Sequence, residues 1–576
     1  MPYTPENNPY IPGDPYSYDL KWIVDHIKQA LALYQPLHDE FEQIQEEFGQ
    51  TQSDFTDLYN YVHDYFDTLD VSDELEAILN EWVDNGSFAA LIHDIYDSEY
   101  NNYLLALGAF VTPKMFGAAG DGTTVDNAAL NSCFQYCATH NVPCYGENLT
   151  YVIDNSTASL TNHYGVIVPG GITIRNCHFK LASGCPDMTT LLACQYNSNP
   201  YIIEDCIFEG ELRTITSGSE DGGNHGIIFC NTVTMFPSDW QDYADITISR
   251  CRFVNIQSYG IFPSPIINKL TVKDCDISAH GCGILAYSLN TVISNCKYTY
   301  LAGSNTTVHT LAIDEIENFT APANNKKNIT IKNSYSSVRL YTINHGTQPG
   351  LIYGNINIYG CESNAELMVT TISGGNFITC DKVHIKNCKA NGTVGDYGYA
   401  PAYIIGDVEI DSVITGKKNR IGVTNGNCNL KNLNVAYQIF LSTSTFIKMN
   451  IENCRFTGSN SDGLLSSAGA GGYATADEIN FINCQVDTAS FILRNMNATT
   501  INVVGLYAAT EVRLLYCPTA QATNIYCMGV IIPTSNPANH YFVDGITGAL
   551  VVRGIGGTLR LHSVALSTLD MTAIPT

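Results

Sequence analysis

Positive charge is what this sequence has least of. It carries 28 Lys and Arg against 56 Asp and Glu, a formal net charge of −28 over 576 residues. A phosphate backbone requires clustered cations, so the balance argues against nucleic acid as a partner. It argues equally against a polyanionic substrate unless basic groups gather locally. Long apolar runs are missing too: no stretch approaches the roughly 18 residues of a spanning helix, so no membrane insertion is expected. The opening residues show no basic segment followed by an apolar one, and no secretory signal peptide is expected. Only 15% of residues are charged at all, which suits a surface of hydroxyls and amides. The chain has 20 cysteines, yet no two stand as Cys-x-x-Cys, the spacing that would point to a metal or redox pair.

The cysteines instead end a recurring phrase of alternating apolar residues followed by a polar pair. It reads Ile172-Thr-Ile-Arg-Asn-Cys177, Ile246-Thr-Ile-Ser-Arg-Cys251, Leu270-Thr-Val-Lys-Asp-Cys275, Val383-His-Ile-Lys-Asn-Cys388 and Met449-Asn-Ile-Glu-Asn-Cys454. Shorter or variant copies end at Cys206, Cys296, Cys361 and Cys484, and Ser334 fills the slot once. Successive phrase cysteines lie 29, 45, 24, 21, 65, 27, 66 and 30 residues apart, the 65 dividing at Ser334 and the 66 at Cys428. A self-similar period in this range predicts a solenoid.

Alternation inside each phrase makes the repeating unit a strand, with Ile172 and Ile174 on one face. The Asn, Asp or Gly before the cysteine supplies the corner. A second column recurs as Gly226-Ile-Ile, Gly260-Ile-Phe and Gly283-Ile-Leu and predicts another strand per coil. The fold class that follows is mainly β: a right-handed single-stranded parallel β-helix over residues 111–530, with a β-rich tip at 531–576. In that tip, Leu550 to Leu561 reads as two strands joined by a Gly turn. The thiols are expected to be buried, free and apolar in behaviour, with no metal and no cofactor.

Residues 1–19 are rich in Pro, Tyr and Asn and read as irregular. From Leu20 to Leu69 apolar residues step by three and four, including Phe41, Phe48 and Phe55, which predicts a coiled-coil-like stalk over 20–110. The bulky seam favours three strands, hence a homotrimer, while Pro36 and Gly49 interrupt it. Short amphipathic helices packed within one chain are the alternative.

After these helices comes Phe116-Gly-Ala-Ala-Gly-Asp-Gly122 with Asp126, then Pro143-Cys-Tyr-Gly146 and Tyr151-Val-Ile. The glycines allow a tight turn, and Asp126 is expected to cap a helix, 126–140, that covers the open end of the solenoid and its strand edges. This motif resembles the one that opens pectate-lyase-like β-helix proteins, bacteriophage tailspikes in particular, where it is structural; Asp121 and Asp126 are read that way here. Together with the opening PENNPYIPGDPYSYDL, it resembles virion-anchored appendages of phages that infect Gram-positive hosts. The resemblance implies a trimeric spike, joined to other virion proteins by its N-terminus, made in the host cytoplasm, and directed at a bacterial surface polysaccharide.

Whether such a spike cleaves its glycan depends on carboxylates. Hydrolysis needs a pair of them, and a lyase needs a base and a charge stabiliser. The long interval from Cys206 to Cys251 contains Glu220 and Asp221 as candidate catalytic groups. His225, Phe236, Trp240 and Tyr243 are the candidate glycan-binding residues, since aromatic faces beside carboxylates make a sugar groove. A solvated Asp/Gly turn is the plain alternative. A second candidate set is His309, Asp314, Glu315 and Glu317, with Glu315 and Glu317 on one strand face. A third row, Asp407, Glu409 and Asp411, alternates along one strand as a weak cation site or a solubilising edge. Three readings stay open: an adsorption protein that binds glycan, a depolymerase, and a structural fibre.

Overall fold

The structure is a computed structural model. It describes residues 110–573 apart from a series of connecting stretches, among them 213–223, 231–244, 302–309, 317–325, 370–377, 391–398 and 532–542. Residues 1–109, which hold the expected anchoring segment and nearly all of the expected stalk, lie outside the described residues. No described helix is long and apolar enough to cross a membrane.

Among the described residues the chain winds in coils of up to three strands, and the paired strands of successive coils run parallel. One coil shows the plan. Tyr201–Glu204 lies in the first sheet, Ile207–Glu209 in the second and His225–Cys230 in the third, before Ile246–Ser249 re-enters the first. Tyr201 then faces Ile246, Ile207 faces Arg252, and Ile227 faces Ile261. This is a parallel β-helix. The inward positions are apolar because three closed faces leave a narrow interior with no water. Ile203, Ile248, Val272 and Ile293 stack there, all fully buried. Aromatic rings do the same in the second sheet, with Phe208 and Phe253 at 4.8 Å between centroids and 10° between planes.

The corner between first and second sheets explains the phrase. The residue before each corner slot is left-handed: Asn176 (φ 55°), Asp205 (55°), Asp274 (56°), Asn295 (53°), Asn387 (53°), Asn453 (53°) and Asn483 (51°), with Gly360, Gly505 and Gly529 in the same role. Asn, Asp and Gly are the residues that enter this region at least cost. Each corner N–H donates to a carbonyl one coil on, from Asp205 to Ser249 (3.1 Å) through Gly505 to Met528 (2.8 Å). The thiol that follows turns inward against two carbonyls; Cys251 Sγ lies 3.3 Å from Ser249 O and 3.5 Å from Ile203 O. Ser334 does likewise, its hydroxyl donating to Lys332 O at 2.9 Å. Cys428 is an exception: it is a strand residue in register with Val408 and Met449. The corner slots on either side of it belong to Val413 and Leu433, both buried.

The glycine column forms the third sheet, and its lack of side chains is a matter of space. A Cβ on Gly226 would stand 2.4 Å from Gly260 O, and one on Gly260 would stand 2.7 Å from Gly283 O.

At the open end, helix α1 (Asn127–His140) buries Leu130, Cys133, Phe134 and Cys137 against the first coils. Asp126 stands at its N-cap position but makes no capping bond. Its carboxylate instead accepts Ala119 N (2.7 Å), Gly120 N (3.4 Å) and Val152 N (3.3 Å), so it pins the glycine turn onto the first coil. Asp121 closes its own turn through Thr123 N and Thr124 N. At the far end, Ala549–Gly556 pairs in parallel with Ala520–Ile531, and Thr568–Ala573 pairs in parallel with it in turn, while Leu561–His562 pairs in parallel with Val543–Asp544. Solenoid pairing therefore continues through the segment read as a separate tip.

Because the corner requires a left-handed residue, Asn453→Val should cost about 1–2 kcal/mol and lower the apparent melting temperature. Asn453→Gly should leave it nearly unchanged; equal losses in both would contradict the corner account.

Candidate functional site

Of the first candidate set, Glu220, Asp221, Phe236, Trp240 and Tyr243 lie outside the described residues. His225 begins the third-sheet strand His225–Cys230, and its side chain is 0% exposed. Its ring stacks on Tyr259 at 5.7 Å and 11°, and Nδ1 accepts the Tyr259 N–H at 3.4 Å. The imidazole packs with Tyr259 and Phe262 in a small buried cluster separate from the main interior of the coils. Asp314 and Glu315 fall on the third-sheet strand Thr310–Ile316, opposite Ile343 and Asn344. His309 and Glu317 lie outside the described residues, so the expected Glu315 and Glu317 pair is not assembled among them.

The third row is where charges meet. Asp407, Glu409 and Asp411 do project from one face of the strand Ile404–Asp411, but they are not a free acidic edge. Glu409 is bonded by Lys382 Nζ, Asp411 receives Lys386 Nζ at 3.1 Å, and Asp407 accepts Asn427 N at 2.8 Å. The cations come from the preceding coil because strand register sets His384 opposite Glu409 and Lys386 opposite Asp411. The row is thus neutralised rather than left open for a cation.

Register also brings in two residues that were not singled out from sequence. Tyr359 Oη donates to Asn357 Oδ1 at 2.8 Å and lies 3.0 Å from His384 Nδ1. With the Tyr359 proton on Asn357, His384 Nδ1 carries the hydrogen of that second contact. His384 Nε2 then stands 3.6 Å from Glu409 Oε1, beyond hydrogen-bond length. Burial holds the imidazole below its usual pKa, against the pull of Glu409. Burial also raises the Tyr359 phenol. Glu409 is held below its usual range, first by the Lys382 bond. At neutral pH the group therefore comprises a neutral imidazole whose unprotonated Nε2 is buried, a protonated phenol and an ion-paired carboxylate.

The same outward column continues past this group. In register, one per coil, come Asn357, His384, Glu409, Asn429, Asn450, Asn480, Asn502 and Tyr526. The amides bond one another: Asn450 to Asn429, Asn480 to Asn450 and Asn502 to Asn480, each Nδ2 to Oδ1 at 2.7 Å. A carboxamide has two N–H donors and two lone pairs, so the half-buried Asn429, Asn450 and Asn502 keep hydrogen-bonding capacity toward solvent, while Asn480 is buried. The column ends on Tyr526, 40% exposed, beside Val504, Tyr507 and Met528, which are also exposed. A cleft of about 320 Å³ opens at the start of the same strands, lined by Thr475, Asp477, Asn497, Thr499 and Thr523 among others. The legible signal was the residue after the first apolar position of each phrase, as in Val383-His, Met449-Asn, Ile479-Asn and Ile501-Asn. Aligning the phrases vertically yields the column; reading them along the chain does not.

No protein-family profile matches the chain, and no curated protein matches it. Among solved structures, it is similar to the A-module of the mannuronan C-5 epimerase AlgE4 from Azotobacter vinelandii, at 13% identity over 72% of this chain and 99% of that chain, TM-score 0.39. It is similar to the Dettilon tailspike protein at 11% identity over 77% of this chain and 69% of that chain, TM-score 0.25. An exopolygalacturonase from Thermotoga maritima matches at 9% identity over 73% of this chain and 91% of that chain, TM-score 0.23. At these identities and scores the likenesses carry nothing about activity or substrate, and the assignment of a parallel β-helix rests on the strand pairings.

Proposed function

We propose that this chain is a bacteriophage receptor-binding spike that adsorbs to a bacterial surface glycan along the outer face of its first sheet. The observation that supports this reading is the in-register column from His384 to Tyr526. It offers repeated amides at the spacing of the coils, about 4.8 Å, over six steps and so about 29 Å. A linear polysaccharide presents hydroxyls along its length and apolar ring faces that stack on tyrosine. In this reading the spike is a homotrimer carried in the virion and joined to other virion proteins through residues 1–19.

The test is adsorption. Purified chain should bind host wall polysaccharide and block phage attachment. Asn450→Ala should weaken binding several-fold, the scale of one hydrogen bond of about 1 kcal/mol. Tyr526→Ala should weaken it about tenfold, corresponding to about 1.4 kcal/mol. Unchanged affinity in both variants would remove this face, and no affinity in the parent chain would favour a purely structural fibre.

A second reading, that the spike is also a depolymerase, is favoured by the Tyr359 and His384 pair in the same column. New reducing ends or unsaturated sugars should then appear, and Tyr359→Phe or His384→Asn should cut the rate by about 10²–10⁴ with binding retained. The acid limb of the pH–rate profile should lie below the ordinary imidazole value of about 6.5, since a lowered pKa keeps His384 a neutral base to lower pH. The basic limb should lie above about 10, the ordinary phenol value, because Tyr359 is raised. Losses confined to Glu220→Gln, Asp221→Asn, Glu315→Gln or Glu317→Gln would instead assign the chemistry to the inserted segments.

A further inference from the structure

Three thiols at the capped end differ from all those in the corner ladder. Cys133 and Cys137 lie one turn apart on the buried face of α1, and Cys144 opens the strand Cys144–Tyr145 that follows it. Their Sγ atoms all lie within 4.8 Å of one another, and Cys133 and Cys144 are 3.7 Å apart. All three are 0% exposed. Ladder cysteines are spaced one per coil, and each has carbonyl acceptors close by, as Cys388 has Lys386 O at 3.2 Å and Ile358 O at 3.5 Å. The cap thiols converge instead on a single point from two separate elements.

We propose that Cys133, Cys137 and Cys144 form a thiolate site for a thiophilic divalent cation, zinc in the first instance, that ties the cap helix to the first coil. Zinc–thiolate bonds are about 2.3 Å, which sets the edges of a tetrahedral sulfur shell at about 3.8 Å. The 3.7 Å edge between Cys133 and Cys144 already has that length. Thiolates in an apolar interior are costly unless a cation balances them, and a divalent ion supplies that balance. The absence of a Cys-x-x-Cys pair, the ground for expecting no metal, does not bear on a site assembled from a helix and a separate strand.

The full chain, refolded under reducing conditions with zinc sulfate and dialysed, should retain about one zinc per chain by elemental analysis. Refolding with Co(II) should give the thiolate charge-transfer and tetrahedral ligand-field bands. Cys137→Ser and Cys144→Ser should lose both signals, while Cys454→Ser, a ladder thiol remote from the cap, should keep them. Circular dichroism would confirm that the variants fold. Should the cap variants fail to fold, the Co(II) spectrum of the parent chain still decides. Folded parent chain with neither zinc nor a thiolate band would overturn the proposal. So would zinc retained in both cap variants, or a Cys133–Cys144 disulfide in the unreduced mass.

Discussion

The stacking of coils at one strand spacing is the constraint on which everything else in this molecule depends. Every inward side chain must fit above and below its counterparts in the next coils, and every corner must turn in the same place. The left-handed residue before each corner slot meets the second demand. Its N–H joins one corner to the next, from Asn176 to Glu204 O and on through Asn483 to Val504 O. The small residue after it meets the first. Cysteine, serine, valine and leucine all serve there, at Cys454, Ser334, Val413 and Leu433, because the slot demands compactness rather than thiol chemistry.

The same constraint builds the outer face. A residue that points outward in one coil is followed by its register partner at about 4.8 Å in the next. Like residues then become ladders, as in the Asn429 to Asn502 amides, and opposite charges become pairs, as in Lys386 with Asp411 and Lys448 with Glu478, each at 3.1 Å. A surface of this kind suits a long repeating ligand more than a compact one. It also explains how Tyr359 meets His384 although 25 residues separate them.

Fold was far more legible than site. Alternation and the Asn-Cys phrase are signals along the chain, and they led directly to strand, corner and coil; the cap helix was read within a residue of its observed span, Asn127–His140. Where the reading slipped, register was at fault. Cys428 was counted as a corner because it is a cysteine, although Leu433 holds that slot. The acidic row at 407–411 was seen without its cations because Lys382 and Lys386 belong to the previous coil. His225, read as a candidate glycan-binding residue, packs its ring against Tyr259 and Phe262, a full coil along the chain. A one-dimensional reading finds what lies beside a residue in sequence; in a solenoid the functional neighbours lie a whole coil away.

The most direct test is an experimentally determined structure of the chain soaked with oligosaccharides prepared from host wall polysaccharide. Sugar density running along the first sheet between His384 and Tyr526, with rings against Tyr526 and hydroxyls on the Asn450 to Asn502 amides, is the predicted result. Density confined to the segments around 213–244 or 302–325, with the amide column bare, would contradict it.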